Sequence, residues 1–210
     1  MIRRKRLKTG NEGWLTSYAD LITNLLIFFI LIIAASEVKI GKLESIASSF
    51  SKNKSAYSLY SAQEDLKREI EAKNISKFVE VQLTDSGLEL SFNSGITFTS
   101  GSSMILPQMI EPMKSVLKML LPYGEKYHFA VEGHTDEVPI KKDSVFKSNW
   151  DLAAARALTV RDYLEDIGLE KNKIKVESYA DTKPLEMKDL SVLNYHEKLA
   201  KHRRVVIRVY

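Results

Sequence analysis

The sequence WLTSYADLIT, residues 14–23, begins the longest apolar run of this chain. From residue 21 to residue 35 every side chain is apolar except those of Thr23 and Asn24. A helix over residues 14–35 would be about 33 Å long at about 1.5 Å per residue, enough to cross a hydrocarbon core of about 30 Å. We therefore predict one transmembrane helix, with Trp14 and Tyr18 at the membrane interface.

Asp20 lies inside this run, about 9 Å from Trp14 along the helix axis. A carboxylate at that depth costs about 2.5–3.5 kcal/mol, and such residues usually mark ion pathways. We therefore predict that Asp20 binds an ion. The alternative is a cleaved signal peptide with Ala34-Ala35-Ser36 as its small-residue cleavage site. The length of the apolar run, and an acid where the apolar core should begin, favour a retained anchor.

Charge and composition give the orientation and exclude some chemistry. The net charge is +4, and much of it comes from a cluster at the N-terminus: Arg3, Arg4, Lys5, Arg6 and Lys8. Basic residues beside a membrane span stay in the cytoplasm, so we expect the C-terminal part to lie outside it and no nucleic acid to be bound. The chain has no cysteine, which excludes thiolate catalysis and disulfides.

A polar connector over residues 37–77 follows the span. Leu43, Ile46, Ala47 and Phe50 have the spacing of a short amphipathic helix. Residues 62–73 (AQEDLKREIEAK) contain good helix formers but few apolar side chains, which favours an exposed or interfacial helix. A solvated linker is the alternative for both segments.

From residue 78 the pattern becomes that of a folded α/β domain, an α+β sandwich with a mixed sheet covered by helices. Residues 78–83 and 88–92 alternate around Asp85-Ser86-Gly87, which predicts a β-hairpin. Further strands are predicted at 127–132, 174–179 and 205–209, and helices at 104–121 and 149–167. The apolar side of the last helix is predicted to carry Leu152, Ala155, Thr159, Tyr163, Leu164 and Ile167.

Two motifs in this domain indicate a binding site. Gly133-His134-Thr135-Asp136 follows a predicted strand, and NWDLAAARA begins the long helix at residue 149. Asn149, Leu152 and Arg156 are spaced by three and four residues and so share one side of that helix. Asp136 and Arg156 could together bind a ligand that carries an ammonium and a carboxylate. Alternatively, the two side chains pair with each other and Asn149 is only an N-cap.

The histidines and the C-terminal arginines carry weaker signals. His134 and His128 could suggest a metal, but a single His-x-Asp is not a ligand set, and we predict no metal site. The sequence His202-Arg203-Arg204 opens the last strand. We interpret it as a solvated edge rather than a phosphate site.

Three segments together resemble one known architecture. The segment around Asp20 resembles the membrane segment of the MotB/PomB family of flagellar stator proteins. The motifs at 133–136, 148–157 and 179–185 (YADTKPL) resemble that family's OmpA-like peptidoglycan-binding domain. The likeness extends over essentially the whole chain. It implies a cytoplasmic tail (1–13), a transmembrane helix (14–36), a plug and linker (37–77) and an OmpA-like periplasmic domain (78–210).

The resemblance also implies roles for residues and partners. Asp20 would be the ion-binding aspartate of a channel formed with a polytopic MotA-like subunit, carrying a proton or sodium without any cofactor. Leu43, Ile46 and Phe50 would belong to the plug that closes it. Asp136 and Arg156 would hold the diaminopimelate group of peptidoglycan. Thr135, Asn149 and Leu152 would line that pocket. A homodimer in the bacterial inner membrane, and no enzymatic activity, are implied as well.

The chain departs from the family pattern at two positions. Ala153 stands where the family usually has Ser, and His202 where Asn commonly precedes the two arginines. We expect both changes to alter local hydrogen bonds without removing the main pair. Two other functions remain open: a cell-wall tether without ion transport, and a stator for another ion-driven machine, as in gliding or phage defence.

Overall fold

The structure, a computed structural model, describes residues 13–35, 58–185 and 194–210. The chain divides into two compact units, residues 1–39 and 40–210. The proposed plug residues Leu43, Ile46 and Phe50 lie outside the described residues, as does the basic cluster at residues 3–8. The described part of the first unit is a single helix. The second unit contains a sheet and the helices that pack on it.

The first unit is helix α1, Gly13–Ala35. Its described side chains, at residues 13–32, are all exposed, and residues Gly13–Ile32 are long and apolar enough to cross a membrane. The polar side chains near its start bond within the helix: the Ser17 hydroxyl donates to the Gly13 carbonyl at 3.2 Å. A helix that exposes apolar residues on all sides is a membrane span or is covered by partners.

The second unit is built on a five-stranded mixed sheet. Its strands are β1 Val79–Thr84, β2 Gly87–Asn93, β3 Phe129–His134, β4 Ile174–Ala180 and β5 Arg204–Val209. The strand order is β1-β2-β5-β3-β4; β3 and β4 run parallel, and the other neighbours are antiparallel. The predicted hairpin is confirmed, with Thr84 opposite Gly87. Gly87 has a φ of 129°, a backbone conformation that residues other than glycine rarely adopt.

The two faces of the sheet differ sharply. One face carries apolar residues, among them Phe92, Phe129 and Ile207, which are fully buried in the core. The alternate positions of the same strands are mostly polar or charged and form the other face. Because side chains alternate along a strand, each strand contributes to both faces. On the apolar face, the helix Leu59–Ala72 packs on β1 and β2, and the helix Asn149–Asp166 packs on β3 and β4.

Helix α2, Leu59–Ala72, corrects the sequence prediction for this segment. The sequence predicts an exposed or interfacial helix here, with a solvated linker as the alternative. In the structure Leu59, Ala62, Leu66 and Ile70 are buried in the main core. These four apolar residues follow a helical spacing and are sufficient to cover the β1–β2 hairpin. The folded unit therefore begins by Ser58, and the predicted domain start at residue 78 is too late.

The other helices of the described ranges are α3 Ser94–Thr97, α4 Pro107–Lys118, α5 Asn149–Asp166 and α6 Tyr195–His202, with 3₁₀ turns at Leu121–Tyr123 and Lys171–Lys173. Helix α4 is shorter than the predicted 104–121. It begins at Pro107, whose fixed φ suits the first helical position, and Pro122 lies within the 3₁₀ turn that follows.

The buried side of α5 is rotated relative to the predicted stripe. Leu152 and Leu164 are buried as expected, but Ala155, Thr159, Tyr163 and Ile167 are only partly buried. The other buried residues are Ala153, Arg156, Ala157 and Val160. The buried side is therefore rotated about the helix axis by roughly 70° from the predicted one, at about 100° per residue. The small Ala153 allows the helix backbone to approach β3, so the side with small residues faces the sheet.

If α2 is part of the domain core, Leu66→Ala should lower the free energy of unfolding by about 2–5 kcal/mol, because it leaves a cavity at a fully buried site. Hydrogen exchange of the β1 and β2 amides in the full-length protein measures this change. The neighbouring Lys67→Ala, at an exposed position, should shift it by less than about 0.5 kcal/mol. Equal exchange in both variants would show that α2 is a linker.

Candidate functional site

The site lies where β3 ends beside the start of α5. A Cβ on Gly133 would lie 2.1 Å from the backbone oxygen of Ala153, so only glycine allows this approach of strand and helix. The pairing of β3 with β4 shifts register between Gly133 and His134. The Thr135 amide then donates to the Ala180 carbonyl at 2.8 Å. These contacts fix the direction in which Asp136 leaves the sheet.

Asn149 holds the backbone of that loop. Its side-chain amide donates to the carbonyl oxygens of Asp136 at 3.3 Å and of Val138 at 3.0 Å. The N-cap of α5 is Ser148, whose hydroxyl accepts from the Asp151 amide at 3.2 Å. The interpretation of Asn149 as only an N-cap is therefore wrong. Asn149 ties the Asp136 loop to the first turn of the helix.

The Asp136 carboxylate is buried and pairs with Arg203, not with Arg156. Arg203 Nη1 donates to Asp136 Oδ2 at 2.6 Å, and the Val138 amide donates to Oδ1 at 3.3 Å. The alternative in which Asp136 and Arg156 simply neutralise each other by direct pairing is thus contradicted. The two groups are still near enough for Asp136 to favour the charged form of Arg156.

Arg156 is a buried cation without a carboxylate partner among the residues described. It is 4% exposed. Its Nε donates to the Ser102 carbonyl at 3.0 Å, and its guanidinium carbon lies 5.3 Å from the centre of the Phe98 ring. Burial, and then the charge of Arg203, lower its pKa to about 10, so it stays protonated at neutral pH. A buried charge is costly unless it is paired, so Arg156 is a candidate for contact with an anion.

The two other predicted pocket residues lie beside this pair. Leu152 is buried on α5, one turn from both Asn149 and Arg156. Thr135 is also buried, and its hydroxyl has no hydrogen-bond partner within the described part of the chain. All five predicted residues thus lie at one end of the sheet, and among them are a hydroxyl without a hydrogen-bond partner and a guanidinium without a carboxylate partner in the described part of the chain.

Arg203 was not predicted as a site residue, and the prediction for Arg204 was wrong. The segment was interpreted as a solvated edge, yet Arg204 is buried and donates to the carbonyl oxygens of His202 at 3.3 Å and Lys183 at 3.2 Å. Arg204 pairs with His134 across the sheet, which brings Arg203 next to the Thr135–Asp136 loop. The proximity of Arg203 to Asp136 follows from the strand order, and no local sequence pattern predicts it.

His134 points to the polar face of the sheet, away from this site. Its ring stacks on Tyr179 with centroids 5.4 Å apart, and Nε2 lies 3.5 Å from Glu132. Burial lowers its pKa, with help from the charges of Arg204 and Lys183 and against the effect of Glu132. Across the described ranges, no three side chains of the metal-binding types converge.

In the first unit, Asp20 shares one side of α1 with Thr16, Ser17 and Thr23. The Thr23 hydroxyl donates to the Asp20 carbonyl at 3.0 Å. Its hydrogen is therefore used within the helix, while its oxygen lone pairs stay available to a cation.

Two family profiles match this chain. "Membrane MotB of proton-channel complex MotA/MotB" matches residues 2–53, and the OmpA family matches residues 97–195. Motility protein B of Bacillus subtilis is 26% identical over 257 residues, covering 100% of this chain and 96% of that protein. Motility protein B of Helicobacter pylori J99 is 27% identical, covering 86% and 80%.

Solved structures agree with the fold. The periplasmic domain of Helicobacter pylori MotB superposes with a TM-score of 0.54 at 28% identity, covering 62% of this chain and 80% of that one. The cell wall anchor of the T6SS from Pseudomonas aeruginosa has a TM-score of 0.58 at 25% identity, covering 69% and 96%. The predicted fold class is confirmed.

Gly133→Ala should destabilise the domain by about 3 kcal/mol, because the new methyl group meets backbone that cannot rotate away. Thermal unfolding of the full-length protein measures the loss. Gly95→Ala is the control, since its methyl group would meet side-chain atoms rather than backbone: Asn93 Oδ1 at 3.3 Å and Arg203 Nη2 at 3.8 Å. A Gly133→Ala variant as stable as this control would contradict the close approach of β3 and α5.

Proposed function

We propose that this chain, which belongs to the MotB family and carries an OmpA-like domain, conducts ions through Asp20 and anchors a flagellar stator to peptidoglycan through Asp136 and Arg156. The family is one of structural stator proteins that bind peptidoglycan, not of enzymes. The chain is a single-pass inner-membrane protein with a periplasmic domain. We place its basic N-terminus in the cytoplasm on the charge argument.

The unpaired charge of Arg156 is the observation that carries the anchoring proposal. A ligand carboxylate can accept hydrogen bonds from the guanidinium nitrogens left over beyond the Nε–Ser102 contact. Asp136, beside it, is the group for a ligand ammonium. The free end of diaminopimelate in a peptide stem carries both charges on one carbon, so a single residue of the stem can satisfy both groups.

The supporting contacts explain why this pair is rigid enough to select a ligand. Asn149 fixes the backbone of the Asp136 loop, and the Ser102 carbonyl fixes the Arg156 side chain. Ligand groups are bound well when the protein groups do not have to be ordered first. The Thr135 hydroxyl adds a further donor and acceptor in the same place.

The two departures from the family pattern leave this pair intact. Ala153 is fully buried where its backbone meets Gly133, so its methyl group serves the packing of α5 on β3. His202 ends α6, and burial and Arg204 lower its pKa, against the opposing charges of Asp136 and Glu137. Neither residue makes a hydrogen bond to Asp136 or Arg156 in the structure.

The ion path is proposed from the membrane position of Asp20. An ion that neutralises this carboxylate on one side and leaves on the other releases about 2.3 kcal/mol per elementary charge per 100 mV. That energy can bias two packings of α1 against a MotA-like partner, which is how ion flow would become movement. A dimer of this chain inside the partner ring, with the segment around Leu43, Ile46 and Phe50 as plug, completes the proposal.

The transported ion is a proton or sodium. The family profile names a proton channel, which supports a proton. The free lone pairs of the Thr23 oxygen, one turn from Asp20, are the feature that supports sodium.

A cell-wall tether without ion traffic is the second candidate. The likeness to the T6SS cell wall anchor favours it, because the same domain serves there in a different machine. A tether, however, gives no role to Asp20, a carboxylate within an apolar helix. The stator proposal does, and we therefore prefer it.

Arg156→Gln should abolish co-sedimentation of the full-length, detergent-solubilised protein with purified peptidoglycan. The substitution keeps most of the side-chain volume but removes the charge that receives the ligand carboxylate, at a cost of at least about tenfold in affinity. Arg161→Gln, on the same helix and paired with Glu165, should pellet like the unaltered protein. Unchanged pelleting of Arg156→Gln would refute this binding site.

Asp20→Asn should abolish swimming in cells that lack their own copy of this subunit, while immunoblots still find the protein in the membrane. The amide cannot be neutralised and recharged by a passing cation. Ile27→Leu, a conservative change on the same side of α1, should leave swimming intact. Normal swimming with Asp20→Asn would refute the ion-conducting role and favour the cell-wall tether instead.

A further inference from the structure

Arg203 forms an ion pair with Asp136, the carboxylate that is proposed to bind the ligand ammonium. It lies immediately before β5, where its carbonyl accepts a hydrogen bond from the Ser94 amide at 2.9 Å. Its guanidinium reaches Asp136 Oδ2 at 2.6 Å, with side-chain exposures of 36% for Arg203 and 9% for Asp136. The backbone of Arg203 is thus held by a hydrogen bond, while its side chain is partly exposed to solvent, so a ligand can compete for Asp136.

The charges around this point do not balance. One carboxylate, Asp136, faces two guanidinium groups, and only that of Arg203 forms an ion pair with it. Arg156 cannot move to share the pair, because it is buried and its Nε is held by Ser102. The mutual repulsion of the two cations contributes to the lowered pKa of Arg156. The site without ligand therefore carries one unsatisfied positive charge.

We propose that Arg203 is a specificity-determining residue: it holds the place of the ligand ammonium on Asp136 and yields it only to a ligand that also brings a carboxylate. This inference rests on the proposed peptidoglycan binding and adds selectivity between stem types. The selected ligand is a stem residue with an ammonium and a carboxylate on the same carbon, as in diaminopimelate. The rejected ligand is a stem with an amine alone, as in lysine.

The selectivity follows from the exchange of charge pairs. A lysine-type amine that takes Asp136 releases Arg203 and leaves two guanidinium groups and one ammonium around one carboxylate. A diaminopimelate end adds a second carboxylate, which Arg156 and the displaced Arg203 can both contact. The first exchange swaps one ion pair for another and gains nothing, whereas the second gains a charge-assisted contact. Arg203 therefore penalises the amine-only ligand.

The test compares two synthetic tripeptide stems that differ only in carrying diaminopimelate or lysine at the third position. Their dissociation constants are measured by calorimetry on the full-length protein in detergent, for the unaltered chain, Arg203→Gln and Arg203→Lys. The unaltered chain should prefer the diaminopimelate stem. Arg203→Gln should reduce the ratio of the two constants by about tenfold, with tighter binding of the lysine stem, because Asp136 has lost its competitor.

Arg203→Lys retains a cation that can reach Asp136, so it should keep the preference of the unaltered chain. Lys201→Gln, which removes a cation paired with Glu80 instead, is the charge control and should also keep it. If Arg203→Gln weakens both stems equally, Arg203 only positions Asp136 and the inference fails. If the unaltered chain binds neither stem, peptidoglycan binding itself is refuted, which is a distinguishable result.

Discussion

The close approach of β3 to α5 at Gly133 is the constraint on which the rest of the domain depends. Without a side chain at that position, the backbone of Ala153 lies directly on the strand. The strand then ends beside the first turns of the helix, where Asn149 can reach the carbonyl oxygen of Asp136. The same approach turns Arg156 inward, toward the loop at Ser102. One packing contact therefore assembles groups that lie far apart in the sequence.

The buried and half-buried arginines differ in how their charges are compensated, and this difference favours the end of the sheet at Arg156 as the proposed binding site. On the polar face, Arg208 lies 2.7 Å from Glu132 and 3.4 Å from Glu177, so its charge is compensated within the protein. Arg204 donates to two backbone carbonyls. Arg156 has one carbonyl and an aromatic ring, and no carboxylate among the residues described. A groove of about 550 Å³ lies on the polar face, but there Glu80 pairs with Lys201 and Glu132 with Arg208.

The features predictable from the sequence are those that local patterns determine. The hairpin followed from alternation around Asp85-Ser86-Gly87, and α5 from its period and the glycine after it. The sequence predicts that Asp136 and Arg156 lie close together, but not that Asp136 pairs with Arg203 while Arg156 binds the Ser102 carbonyl. The core role of α2 was missed because four apolar residues look sparse until the hairpin they cover is known. Arg203 was missed because its contact with Asp136 depends on β5 lying beside β3.

The structure of the complex with a diaminopimelate-containing stem would show whether Asp136 and Arg156 form the peptidoglycan-binding site. The account places the ligand carboxylate within hydrogen-bonding distance of the Arg156 guanidinium and the ligand ammonium on Asp136, with Arg203 displaced from Oδ2. A stem bound in the groove on the polar face, or at this site with no anion on Arg156, would contradict the account.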